Sequence, residues 1–185
     1  DLFVERQKFD DILELLRAKK NIILQGPPGV GKTYFSKRLA YALLEYKDPD
    51  RVGMVQFHQS YAYEDFVQGY RPSGGGFQLR DGIFHQFCAK AQQDLSRDYV
   101  FIIDEINRGN LSKVFGELML LIEADKRGEN WEIPLAYSDG PDERFSIPEN
   151  IYLVGLMNTA DRSLAMVDYA LRRRFGFVDL EPGFE

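Results

Sequence analysis

The chain has 185 residues, 44% hydrophobic and 28% charged, which is ordinary globular usage and excludes a disordered, collagenous or heavily charged chain. Basic side chains number 23 against 29 acidic ones, a net charge of −6, so the surface as a whole does not advertise a nucleic-acid partner and any contact with DNA would be local. A single cysteine, Cys88, rules out an internal disulfide and leaves no Cys/His zinc set, which points to a reducing compartment such as the cytoplasm; no apolar run approaches the roughly 18 residues of a membrane-spanning helix.

In chain order, Ile12, Leu13, Leu15 and Leu16 recur at helical spacing over Asp10 to Ala18, and Asn21 to Gln25 reads as a short buried strand. A glycine-rich turn follows. Phe35, Leu39, Ala42 and Leu43 then mark an amphipathic helix over Gly31 to Tyr46. A second strand is predicted at Met54 to Phe57, and a helix at Ile83 to Leu95 whose start extends back toward Tyr63 to Gln68. Between these lies Gly69 to Gly82, rich in glycine, predicted as a turn-rich excursion with a hairpin tip at Ser73 to Gly76. Tyr99 to Asp104 has the length and β-rich composition of a strand buried on both faces. Asn110 is placed to cap a helix carrying the stripe Leu111, Val114, Phe115, Leu118 and Ile122. Trp131 to Ile147 reads as a hairpin, Ile151 to Met157 as a strand, Ser163 to Arg173 as a short helix and Phe175 to Leu180 as a fifth strand. Strands alternating with helices predict an α/β fold, a mostly parallel sheet covered on both faces.

Gly26, Pro27, Pro28, Gly29, Val30, Gly31, Lys32 and Thr33 match the phosphate-loop pattern GxxxxGK[ST] at every defined position, between a predicted strand and a predicted helix. The glycines let main-chain N–H groups and the helix N-terminus close around a polyphosphate. Lys32 adds a mobile cation for the β- and γ-phosphates, and Thr33 a hydroxyl for Mg²⁺. Asp104 and Glu105 end the apolar strand, where a parallel neighbour of the first strand would bring them to the phosphates. Asp104 suits the orientation of Mg²⁺ and its waters, Glu105 the polarisation of a water for in-line attack. Asn158, at the end of the Ile151 to Met157 strand, is either a turn former or a ligand of the attacking water, and only a position between the other two strands favours the second.

Arg172, Arg173 and Arg174 crowd a helix C-terminus, where they meet the dipole favourably; the alternative is an arginine finger, carried by Arg173 and Arg174, offered to another subunit's γ-phosphate. His58 and His85 lack partners at metal spacing, and Trp131, Tyr137 and Phe145 alternate on a hairpin, so these five are read as packing or surface residues.

The segments GPPGVGKT, FIIDEINR, GLMNTADRS and DYALRRRF resemble the AAA+ superfamily of P-loop NTPases and, within it, the McrB-type GTPases of modification-dependent restriction systems. Met54 to Pro72 and Asp125 to Trp131 are similar to the same group. The resemblance implies a large α/β subdomain over residues 1–185, with strand order 5-1-4-3-2 and hairpin insertions near Ser73 to Gly76 and Trp131 to Ile147. A helical lid and an N-terminal domain reading modified DNA, both usual in the family, are not expected within it. GTP rather than ATP is the implied substrate, with Mg²⁺ as cofactor. A homo-oligomer, a hexameric ring, is implied, with a McrC-like nuclease subunit as partner and DNA held by the full complex. By position Asp104 and Glu105 become the Walker B pair and Asn158 the sensor, Asp161 and Arg162 help arrange the catalytic parts, and Arg173 and Arg174 reach across a subunit boundary. An ATPase of the MoxR-like remodelling kind and a nucleotide-gated scaffold are the alternatives. The scaffold has no use for Glu105.

Overall fold

The computed structural model describes residues 4–138, 140, 142–160 and 169–181. Helix α1 (Arg6–Lys19) runs into strand β1 (Asn21–Gly26), and α2 (Lys32–Leu43) leads through a short turn to β2 (Val52–Gln56). Helix α3 (Tyr63–Phe66), the hairpin of β3 (Gln68–Ser73) and β4 (Gly76–Asp81), and α4 (Ile83–Gln92) follow. Next come β5 (Tyr99–Asp104), α5 (Leu111–Phe115), α6 (Leu118–Leu121), β6 (Ile151–Asn158), α7 (Tyr169–Arg174) and β7 (Gly176–Asp179).

Five strands form one parallel sheet in the order β2-β5-β6-β1-β7. Numbered among themselves, these are 5-1-4-3-2, the expected order. Period-two alternation divides the core between the faces. Ile22, Leu24, Val100, Ile102, Val154 and Leu156 pack with Ile12 and Leu16 of α1 and Phe35 and Leu39 of α2. Their neighbours Ile23, Phe101, Ile103 and Leu153 face Phe66 of α3, Phe84 and Phe87 of α4, and Phe115 and Leu118 of α5 and α6. Burial on both faces is why the central strands read as continuous apolar runs.

Three local expectations change. The helix read back from Ile83 is interrupted: α3 and α4 are separated by the β3–β4 hairpin, and Gly82 starts α4 against the Phe66 backbone, where a Cβ would overlap main-chain atoms. The stripe from Leu111 to Ile122 is split at Gly116, whose φ of 51° ends α5 where the Tyr63 ring packs against it. Trp131 to Ile147 makes one antiparallel bridge, Ile133 with Phe145, among the described residues. Pro134 follows that bridge and, having no N–H, cannot extend a ladder.

Candidate functional site

The loop after β1 carries positive φ at Gly29 (83°) and Gly31 (77°), the conformation that needs glycine when main-chain N–H groups line a concave turn. Gly31 precedes the first turn of α2 and has no side chain to satisfy its N–H groups, which are left for an anion. Lys32 folds back over the loop, donating from Nζ to the Gly26 carbonyl at 2.9 Å and the Pro27 carbonyl at 2.7 Å. Burial pulls its pKa below the ordinary lysine value, and the carboxylates of Glu105 and Asp104 push the other way. These acids therefore lie within electrostatic reach of the ammonium. Thr33 is partly buried on the first turn, its carbonyl accepting from Ser36 Oγ at 2.9 Å.

Strand β6 lies between β1 and β5, so the acid pair is one strand further from the loop than a direct neighbour would be. The edge closes nonetheless. Gly26 and Asn158 are Cα partners in the β1–β6 ladder, and the Thr159 N–H donates to the Gly26 carbonyl at 3.1 Å. Asn158 thus ends the strand that lies between the other two. Its Oδ1 accepts from the Ala160 N–H at 3.0 Å, forming the turn that its residue type favours.

Asp104 Oδ1 accepts from the Glu105 N–H at 2.9 Å, while the Asp104 carbonyl accepts from the Phe57 N–H at 2.9 Å, tying the acid turn to the strand after β2. Glu105 holds a left-handed backbone, φ 52° and ψ 42°, unusual for a side-chain-bearing residue and a form of strain found at functional turns. Its Oε2 lies 3.2 Å from Arg108 Nε and, among the described residues, accepts no hydrogen bond although buried. Asn107 Oδ1 is buried without a hydrogen-bond partner among them too, while its Nδ2 reaches the Asn158 carbonyl at 3.4 Å. Asp104, with the buried, unpartnered Asn107 Oδ1 three residues on, offers the oxygen donors that a hydrated cation takes, so the donor set fits Mg²⁺. Asn107 and Arg108 were absent from the residues singled out in the sequence. The motif DEINR contains both, but only the turn after Asp104 brings them back on Glu105 and Asn158.

The arginines are elsewhere. The Arg174 carbonyl accepts from Asn21 Nδ2 at 3.0 Å, at the opposite end of β1 from Gly26. Five residue steps of strand separate those ends by about 17 Å. Arg174 therefore does not serve this chain's own phosphate loop. Its Nη2 pairs with Glu123 Oε1 at 2.8 Å, Arg173 is exposed, and the Arg172 guanidinium lies 5.5 Å above the Phe177 ring. Asp161, Arg162 and the first residues of the helix read from Ser163 fall outside the described residues.

The packing readings agree with the geometry for several aromatics. The His85 ring stacks on buried Phe145 at 4.8 Å, and Tyr137 donates to Glu64 Oε1 at 2.6 Å. Trp131 is partly exposed, with Lys126 Nζ 5.9 Å above its ring, and His58 is exposed beside Tyr61. Cys88 is buried in the core, and burial pushes its thiol pKa up. Among the described residues no helix is long and apolar enough to cross a membrane.

Residues 21–175 match the family described as the AAA domain (dynein-related subfamily). The whole chain is 65% identical over 185 residues to the Type IV methyl-directed restriction enzyme EcoKMcrB subunit of Escherichia coli (strain K12), covering 40% of that protein. It is 28% identical over 200 residues to the Type II restriction enzyme BsuMI component YdiS of Bacillus subtilis (strain 168), with 88% of this chain and 57% of that one covered. The chain thus spans about half the length of these curated relatives or less. A crystal structure of a candidate ATPase from Cytophaga hutchinsonii superposes with a TM-score of 0.57 at 16% identity, over 96% of this chain and 47% of that one. That likeness concerns the fold.

Proposed function

The chain belongs to the AAA domain family, dynein-related subfamily, and from that membership and the cluster at the carboxyl edge of its sheet we propose that it binds and hydrolyses a magnesium nucleoside triphosphate. The observation that carries this reading is the register of Gly26 with Asn158, because it draws the phosphate loop, the Asn158 amide and the Asp104–Glu105 turn to one edge. Ligands of open α/β sheets bind beyond the carboxyl ends of the strands.

Main-chain N–H groups of Gly29, Val30, Gly31 and the first turn of α2 cradle the phosphates; Pro27 and Pro28 have none to offer. Lys32 exchanges its two carbonyl acceptors for β- and γ-phosphate oxygens, a charge-assisted replacement. Mg²⁺, held through the Thr33 hydroxyl and Asp104, would supply charge stabilisation to the same oxygens. Glu105 takes a proton from the attacking water as its oxygen bonds to the γ-phosphorus and the bond to the leaving diphosphate breaks. The Asn158 amide turns from the Ala160 N–H to hold that water or a γ-phosphate oxygen. Asp161 supports this arrangement, and Arg173 and Arg174, remote from their own loop, act on the site of a second copy. Each site is then completed by its neighbour, and isolated subunits turn over slowly.

GTP is the nucleotide we assign, on the 65% identity to the McrB subunit. By the same relationship the chain forms the large α/β subdomain of a cytoplasmic restriction motor, assembled as a homo-oligomeric, hexameric ring. That ring works with a McrC-like nuclease subunit on DNA carrying modified cytosine. Competition between GTP and ATP for the full-length protein tests the assignment: displacement of a bound fluorescent nucleotide by GTP at lower concentration than ATP supports it, and a clear ATP preference overturns it in favour of a remodelling ATPase.

A further inference from the structure

The amino end of the sheet holds a polar network that the phosphate site does not use. Arg127 is buried, and its guanidinium donates to the Ile122 carbonyl at 2.9 and 3.3 Å, the Ile151 carbonyl at 3.1 Å and Asn21 Oδ1 at 2.7 Å. Asn21, also buried, sends its Nδ2 to the Ile122 carbonyl at 2.6 Å and to the Arg174 carbonyl at 3.0 Å. Glu123, next in the chain after Ile122, places Oε1 2.8 Å from Arg174 Nη2 and pairs through Oε2 with Lys126.

Arg174 is consequently gripped twice, at its main-chain carbonyl by Asn21 and at its guanidinium by Glu123. The grip rests on β1, the strand whose other end carries the phosphate loop. Consecutive helical residues diverge by about 100°, so fixing Arg174 also fixes the direction in which the Arg173 side chain leaves the helix, toward solvent. Lys126 holds the carboxylate while the carboxylate holds the arginine through Oε1, a charge-assisted contact stronger than a neutral amide would make.

We infer that Glu123 is a positioning residue for the α7 arginines: by holding Arg174 on the amino end of β1 it aims Arg173 away from its own subunit, toward the triphosphate of a second copy. The inference rests on the reading of Arg173 and Arg174 as acting between copies. Glu123 touches no substrate in this account. Its contribution is geometric and is felt in the neighbour's turnover.

The test uses mixed assemblies of the full-length protein. Glu123→Gln should lower kcat about tenfold with KM within about twofold, since binding stays with the intact phosphate loop, and Glu123→Asp should recover part of the loss by restoring the charge. Glu123→Gln is then mixed in equal amounts with Glu105→Gln, whose own site is inactive but whose arginines are intact. Recovery toward about a quarter of parental turnover is expected, the share of head-to-tail interfaces that join a working site to a working arginine. If this mixture recovers nothing while an Arg173→Ala and Glu105→Gln mixture does, Glu123 acts within its own subunit and the inference is wrong. If the Arg173→Ala mixture also stays inactive although the subunits assemble, the inter-subunit reading itself has failed and takes the inference with it.

Discussion

Gly26 and Asn158 stand opposite each other at the last rung of the parallel β1–β6 ladder, and the residue after Asn158 donates its N–H to the Gly26 carbonyl. That same carbonyl accepts from Lys32. One main-chain oxygen thus joins the strand end bearing the asparagine to the cation of the phosphate loop, so a nucleotide that draws Lys32 away also changes what surrounds Asn158.

Replacing Asn158 with Ala should therefore separate turnover from binding. The lost groups are the amide proposed to hold the attacking water or a γ-phosphate oxygen and the acceptor for the Ala160 N–H. We expect kcat to fall about tenfold or more with nucleotide affinity within a few-fold. Steady-state kinetics paired with equilibrium binding checks this, and an equal loss in both would place Asn158 in binding.

Lys32→Ala and Glu105→Gln should differ in kind. The first removes the cation proposed to meet the β- and γ-phosphates, so binding should weaken by about 100-fold or more. The second keeps the size of the side chain and the Asp104–Glu105 turn while removing the base, and should retain nucleotide while turnover drops by about 100-fold or more. Filter binding and phosphate release on both variants measure the contrast. Equal loss of binding would end the division of roles.

Arg127 predicts a stability effect remote from the phosphate site. Burial lowers its pKa to about 10, which still leaves it charged at neutral pH, and its donors satisfy carbonyls on two elements and the Asn21 amide. Arg127→Met fills similar volume without donors, taking from buried Asn21 Oδ1 its Arg127 donor and leaving the Ile122 carbonyl to Asn21 alone, and should cost about 3 kcal/mol in urea unfolding. Arg127→Lys should not restore it, because one ammonium cannot span the fork.

The Glu123 carboxylate gives a pH dependence of known sign. The Lys126 hydrogen bond, with the nearby charges of Arg174 and Arg173, holds its pKa below the ordinary value of 4.5 despite partial burial. A depressed carboxylate pKa stabilises the fold above the unfolded value, and that contribution disappears as pH falls through the folded one. The parent should exceed Glu123→Gln in stability at neutral pH, and the gap should close below about pH 4.5. Thermal unfolding of both proteins from pH 7 to 3 reads it.

The five strands and the phosphate loop were legible because each rests on a local signal: apolar runs of strand length, and a glycine pattern fixed between strand and helix; the strand order came from the family resemblance alone. Residues whose partners are distant in sequence were not. Asn107 and Arg108 meet Asn158 and Glu105 only through the left-handed turn at Glu105, and nothing in the string DEINR announces that a glutamate will adopt φ 52°. The 106-residue separation of Asn21 and Arg127 hid the amino-end network in the same way. The helix break at Gly116 was misread because an apolar stripe continues across it, whereas the packing of Tyr63 decides where the chain turns.

The most direct test of a phosphate-binding edge between β1 and β5 is calorimetric titration of the full-length protein with magnesium GTP and magnesium ATP. A saturable, magnesium-dependent heat, stronger for GTP and lost in Lys32→Ala, is the predicted result. A folded protein giving no heat with either nucleotide would contradict the account.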